Sequence, residues 1–242
     1  MNKHKLFNPN SEQNSGFLFL NKPVGPTSHD MVSRLRKLTG IKKIGHAGTL
    51  DPLASGVLIM AIGREATREI SGFVKLDKEY EAVLRLGAVS DTYDREGRVE
   101  FRVSNCECRL SSVELRINTI EQVLEKFIGV QMQVPPMYSA KKIGGKKLYD
   151  LARKGIEIER KPVEINIHEL ELSDYQWPLL KIRVRCSSGT YIRSLAHDIG
   201  QALGCGAYLE ELKRTAVGEF KLEECINLEE LKKENWKNTL NS

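Results

Sequence analysis

The stretch "GHAGTLDPLASGVL", residues 45–58, contains a single carboxylate, Asp51, with no acidic neighbour in the stretch. Several roles are open to such a residue. As a helix N-cap followed by Pro52 it would sit at a favoured helix start, yet only "LAS" follows before Gly56, and so short a helix gains little from a cap. A metal site needs further carboxylates or imidazoles, and only His46 is close. A phosphate-cradling loop needs Gly-Lys-Ser/Thr after the glycines, which is missing. Glycoside hydrolysis needs a second carboxylate, and no obvious one accompanies Asp51. A nucleophile needs its carboxylate kept ionised, and Arg193 bears on that requirement. It falls in the first turn of a helix beginning near Thr190, where a cation opposes the helix dipole by about 0.3–1 kcal/mol. Either its long chain reaches solvent, or a carboxylate elsewhere in the fold pairs with it. Asp51 is a candidate partner, and the pairing would hold it charged.

Other reactive side chains are sparse. The five cysteines (Cys106, Cys108, Cys186, Cys205, Cys225) are an odd number in a chain whose N-terminus, "MNKHKLFNPNSEQNS", lacks the apolar core of an export signal; reduced thiols are the expectation. Zinc at Cys106 and Cys108 would need a second pair at ligand spacing, and there is none. The histidines form no HExxH pattern. The formal charge of +5 is modest but concentrated. Residues 131–161 carry eight basic side chains against three acids, which accounts for the whole excess, and Arg34 to Lys43 adds five cations with no acid. Such runs are either solvated faces or footprints for a polyanion, whose phosphates release counterions on binding. No apolar run approaches the length of a membrane span, so the expectation is a cytoplasmic protein.

The elements that must position these residues follow from periodicity. "FLFLNKPVGPTS" is a strand running into a Pro/Gly loop, after which Ser28 can cap a helix with Met31, Val32, Leu35 and Leu38 on one face and Gly40 as its stop. "VLIMAIG", "YEAVLRLG" and "RVEFRV" are predicted strands, the last two joined by the turn-rich "AVSDTYDREG". "NTIEQVLEKFIG" predicts a helix with a Thr119/Gln122 capping box, an Ile120, Val123, Leu124, Phe127 stripe and Gly129 at its end. "VEINI" and "LKIRVRC" alternate as half-buried strands, and "TYIRSLAHDIGQALG" is a helix with Ile192, Leu195, Ala196, Ile199 and Leu203 inward. This order predicts an α+β fold with a largely antiparallel sheet. The 131–161 segment, with "VPP", "IGG" and a basic helix-like piece, interrupts the pattern as an excursion suited to binding.

On "LNKPVGPTS", "GHAGTLDPLASGVL", "KEYEAVLRLG", "SDTYDREG", "QVPPMYSAKKIGGKKLYDLARKG" and "CSSGTYIRSLAHDIGQALGCGAYLEELKRTAVGEF", in order across residues 16–220, the chain resembles the bacterial tRNA pseudouridine synthase B (TruB) family. The resemblance implies a pseudouridine synthase fold, α+β, with a mixed, largely antiparallel central sheet flanked by helices and an inserted RNA-clamping segment. It implies isomerisation of uridine 55 in the T-loop of tRNA, with no cofactor and no metal. Asp51 then stands at the single catalytic aspartate and His46 at the histidine that contacts the displaced nucleotide. Tyr80 of "KEY" matches the tyrosine that stacks on the target base. Tyr191 and Arg193 match a substrate-contacting tyrosine and the arginine paired with the aspartate, and Leu212 an apolar wall of the uracil pocket. The 131–155 region matches the T-arm clamp, making Lys141, Lys142, Lys146, Lys147 and Arg153 candidate RNA contacts.

The expected layout is a flexible extension over 1–15, a catalytic domain over 16–222 containing the 131–161 clamp, and a short tail over 223–242, too short for the PUA-type RNA-binding domain with which many members continue. A monomer acting on the T-arm, with no membrane and no obligate protein partner, is expected. Rival readings are a non-catalytic tRNA-binding or folding protein on the same scaffold and a synthase of another RNA site. Retention of Asp51, Tyr80 and Arg193 together favours the enzyme.

Overall fold

The computed structural model describes residues 15–102, 117–139, 142–143, 146–148, 152, 155–156 and 158–240. In chain order the elements are β1 (Gly16–Lys22), α1 (Ser28–Thr39), β2 (Ile44–Ala47), β3 (Ala54–Ile62), α2 (Arg64–Glu69), α3 (Ser71–Val74), β4 (Lys78–Leu86), β5 (Ala88–Ser90) and β6 (Val99–Phe101). There follow α4 (Ile117–Glu125), β7 (Gly129–Gln133), β8 (Lys142–Ile143), β9 (Lys146–Lys147), β10 (Val163–Gln176), β11 (Leu179–Cys186), α5 (Ile192–Ala202), β12 (Ala207–Val217), β13 (Phe220–Lys221) and β14 (Ile226–Asn227). The fold is α+β with a mixed, largely antiparallel sheet, and two compact units divide the chain, one of residues 1–78 with 213–242 and one of residues 79–212.

In the first unit β3 lies between β1 and β2, both antiparallel to it, with Gly16 opposite Ile62 and Ala47 opposite Ile59. The last strand, β14, runs parallel to β1, with Leu20 opposite Ile226. β3 is a continuous apolar run and is buried on both faces from Val57 to Ile62. Phe17, Phe19, Phe73 and Phe220 form a cluster of tilted rings beneath it, with centroids 4.5–5.5 Å apart. The C-terminal segment folds onto this unit, burying Leu231 and Trp236.

α1 begins one residue earlier than expected. Thr27, not Ser28, is the N-cap, and with Asp30 it forms a capping box; Gly40 ends the helix in the left-handed conformation as expected. The Ser28 hydroxyl is committed elsewhere, to the loop that carries Asp51.

In the second unit the strands run in the order β4, β11, β10, β7. α4 buries Ile120, Val123 and Leu124, yet it already includes Ile117, so Thr119 lies inside it and is not a cap; it stops at Glu125, and Gly129 opens β7 instead. α5 buries the expected Ile192, Leu195, Ala196 and Ile199. Within 131–161, β8 and β9 form a small antiparallel hairpin that pairs Lys142 with Lys147. Cys106 and Cys108 lie outside the described residues, whereas Cys186 and Cys205 are buried and Cys225 is half-buried. Among the described residues no metal-binding cluster of His, Cys, Asp or Glu occurs, and no helix is long and apolar enough to cross a membrane.

Candidate active site

Asp51 sits on the turn between β2 and β3, half-buried, and no helix follows it. Its carbonyl accepts from the Ala54 amide at 3.1 Å and the chain enters β3 at once, so the helix-cap role is overturned. The turn is pinned residue by residue. The Ser28 hydroxyl donates to the Leu50 carbonyl at 3.0 Å and accepts from the Leu50 amide at 2.9 Å. The Gly25 amide donates to the Pro52 carbonyl at 2.8 Å. Leu50 and Leu53, either side of the aspartate, are buried. The "KPVGPTS" loop therefore serves as a splint for "TLDPL", and its own path is held by buried Lys22, whose ammonium donates to the carbonyls of Pro23 and Pro26 at 2.9 and 2.7 Å. Beneath the turn, the fully buried Arg214 donates from Nε to the Val57 carbonyl and from Nη2 to the Gly48 carbonyl.

His46 precedes the turn on β2, half-buried and opposite Met60. Burial holds its imidazole below the usual histidine value, and the charge of Arg214, then that of His29, pushes the same way. Its Nδ1 is buried without a hydrogen-bond partner. A neutral imidazole with an unmet polar atom is equipped to accept or donate one bond to a ligand.

The second unit holds the other expected residues. Tyr80 is the third residue of β4 and is buried on the same face as Ala82 and Leu84. Leu212, on β12, is also buried. Tyr191 is the N-cap of α5, and its backbone is bracketed by one side chain: the Tyr191 amide donates to Gln133 Oε1 at 2.8 Å and its carbonyl accepts from Gln133 Nε2 at 3.0 Å. Ser194 donates to the Val134 carbonyl at 3.0 Å, so the start of α5 is tied to β7 and the residue after it. Arg193 is in the first turn, as expected, and is 4 % exposed. Its Nη1 donates to Asp94 Oδ2 and to the Thr92 carbonyl, both at 3.2 Å, and its Nη2 to the Tyr138 carbonyl at 2.6 Å. Asp94 is equally buried, and its other oxygen accepts from the Thr92 hydroxyl and the Glu96 amide.

Thus Arg193, Thr92, Asp94 and Tyr138 converge, with Tyr191 at the start of α5 and Gln133 of β7 bonded to it. Asp94, Thr92 and Gln133 are absent from the sequence expectations. "SDTYDREG" reads in sequence only as a turn; in the structure Tyr93 adopts φ 65° there, an uncommon conformation for an aromatic residue. The tyrosine ring stacks on His197 at 4.1 Å, which holds the turn against α5. Of the candidate RNA contacts, Lys142, Lys146 and Lys147 lie on the β8–β9 hairpin, while Lys141 and Arg153 lie outside the described residues.

Strands and turns of this kind are those of the pseudouridine synthase fold. The chain aligns with the solved "Crystal Structure of a Cbf5-Nop10-Gar1 Complex" at a TM-score of 0.70 and 30 % identity, covering 95 % of this chain and 60 % of that one. It therefore spans less than two thirds of that solved chain. Residues 36–192 match the TruB family pseudouridylate synthase N-terminal domain, and residues 193–242 the tRNA pseudouridylate synthase B C-terminal domain. Curated relatives described as tRNA pseudouridine synthase B include one from Protochlamydia amoebophila, 53 % identical over 88 % of this chain and 78 % of its own, and one from Chlamydia pneumoniae, 48 % identical over 89 % and 88 %. The chain belongs to the TruB family of pseudouridylate synthases.

Proposed function

We propose that this chain isomerises uridine to pseudouridine in tRNA, at position 55 of the T-loop, with Asp51 as the catalytic carboxylate. The observation that carries the reading is the splinted Asp51 turn in a chain of this family: three neighbouring carbonyls and one amide are held by side-chain and loop hydrogen bonds around a half-buried aspartate. Pre-positioning of this kind is what a reacting group requires.

Product and substrate are isomers. The C1′–N1 bond breaks, the uracil turns, C5 bonds to C1′, and the proton lost from C5 is balanced by one gained at N1. Asp51 can begin this by adding to C6, by attacking C1′ or by taking the 2′ proton. The base must leave its stack at a cost of a few kcal/mol, which a shaped pocket and an aromatic platform offset. Tyr80 is assigned the platform, Leu212 an apolar wall, and Tyr191 and His46 contacts to the nucleotide. The unmet Nδ1 of His46 supports its assignment. Arg193 is assigned the role of keeping Asp51 ionised, and its firm seating on Asp94 supports a fixed guanidinium. The basic 131–161 segment, within a catalytic domain of residues 16–222, is assigned to the T-arm. The protein is read as a cytoplasmic monomer that needs no protein partner.

The test is Asp51→Asn, which keeps size and removes charge. The wild-type chain should release the C5 hydrogen of uridine from tRNA, with pseudouridine mapped to position 55. The variant should lose this activity by orders of magnitude while still binding tRNA, because phosphate contacts supply much of the affinity. Turnover by the variant near the wild-type rate overturns the assignment.

A further inference from the structure

Arg214 is the largest fully buried side chain among the described residues, at 1 % exposure. Moving a guanidinium out of water costs several kcal/mol unless its N–H groups are met, so its partners reveal its use. Among the described residues its side chain donates to two main-chain carbonyls, Val57 at 2.7 Å and Gly48 at 2.9 Å. These carbonyls lie on either side of Asp51 in sequence, one where the turn is entered and one where β3 has begun. A planar fork of donors can span two such acceptors at once, which a single ammonium cannot. The backbone has adapted to this seat. Gly48 takes φ +76°, and a Cβ there would stand 3.4 Å from the guanidinium; Gly56 takes φ +106°, and a Cβ there would overlap the Arg214 carbonyl.

We propose that Arg214 is a positioning residue for the isomerisation: its guanidinium ties the entry and exit of the Asp51 turn together and so sets where the carboxylate stands. The inference rests on the assignment of Asp51 given above. The sequence places Arg214 in "LKRTAVG", far from the turn and away from the basic runs, with nothing to link it to Asp51. A further effect of the same seat is on His46, whose imidazole the buried charge helps to keep neutral.

Full-length Arg214→Gln and Arg214→Lys separate this role from mere support of the fold. Gln keeps donors without reach or charge, and Lys keeps charge and reach without the fork. Single-turnover pseudouridine formation at saturating enzyme should fall about 100-fold for Gln, and for Lys by about tenfold or more, since displacing a reacting group by about 1 Å costs on that scale. The tRNA dissociation constant of each should stay within about threefold, because phosphate contacts are untouched. A purely supporting role would instead lower the fraction of chains that bind tRNA and leave the rate constant of the bound fraction unchanged; that result overturns the proposal. Should the Gln variant not fold, the Lys variant decides, and a rate within about threefold of wild type overturns it. Wild type and Asp51→Asn run alongside. An active wild type with a silent Asp51→Asn and an unimpaired Arg214→Lys defeats the positioning role alone. An active Asp51→Asn defeats the assignment of Asp51, and this inference with it.

Discussion

At the residue scale, the buried pair of Arg193 and Asp94 is the sharpest feature outside the Asp51 turn. Both side chains are 5 % exposed, and the aspartate's other oxygen is met by a hydroxyl and an amide. Removing one partner of such a pair typically costs about 3–5 kcal/mol, because the remaining charge stays in a low-dielectric site. Asp94→Asn keeps the shape and removes one charge. It should destabilise the chain by roughly 3 kcal/mol in urea unfolding, and it should slow single-turnover pseudouridine formation at saturating enzyme. A loss under about 0.5 kcal/mol with an unchanged rate would show that Asp94 neither stabilises nor orients the arginine.

At the scale of elements, β3 depends on a close approach at Gly56. That residue combines φ +106° with backbone contact to Arg214, so any side chain meets both strain and overlap. Gly56→Ala should cost about 2–4 kcal/mol and lower the thermal midpoint, with circular dichroism as the readout. A variant as stable as wild type would mean that the two backbones can part. Elements of this kind were legible in the sequence where burial imposes a period: β3, α1 and α5 stand where their apolar patterns put them. Helix starts were less legible. Ser28 has the right chemistry for a cap, but its hydroxyl is used 22 residues away by Leu50, and Thr27 caps instead. At the candidate site Asp51 and Arg193 stood out locally, one by its isolation and one by its position against the helix dipole. Asp94, Gln133 and Arg214 did not. Their partners lie 99, 58 and 166 residues distant, and no local pattern encodes a long-range bond to a guanidinium, a helix-cap amide or a turn carbonyl.

At the scale of the whole molecule, the basic excess belongs to one stretch of chain. The β8–β9 hairpin carries Lys142, Lys146 and Lys147, and β7, in which the stretch begins, is paired to β10, which follows it. A loop anchored on an antiparallel pair can present cations to a phosphate backbone without disturbing the sheet. Replacing Lys141, Lys142, Lys146 and Lys147 by Ala should weaken tRNA binding and flatten its salt dependence by about 0.7–0.9 log units of slope for each phosphate no longer neutralised. Titrations of a T-arm stem-loop between low and moderate salt give the slope directly. An unchanged slope would make these lysines a solvated face.

The parallel pairing of β14 with β1 has a consequence for how the chain is made. Leu20 leaves the ribosome long before its partner Ile226. At roughly 5–20 residues per second, the first strand waits about 10–40 s for the last. Meanwhile the unit of residues 79–212 is complete in sequence, whereas its companion needs residues 213–242 to finish. A nascent chain stalled before residue 213 therefore holds one whole unit and one with an unpaired strand edge, the kind of surface that recruits chaperones or aggregates. Synthesis order thus makes the C-terminal thirty residues, 213–242, the step that commits the Asp51 half to its native form, because Arg214 arrives only then.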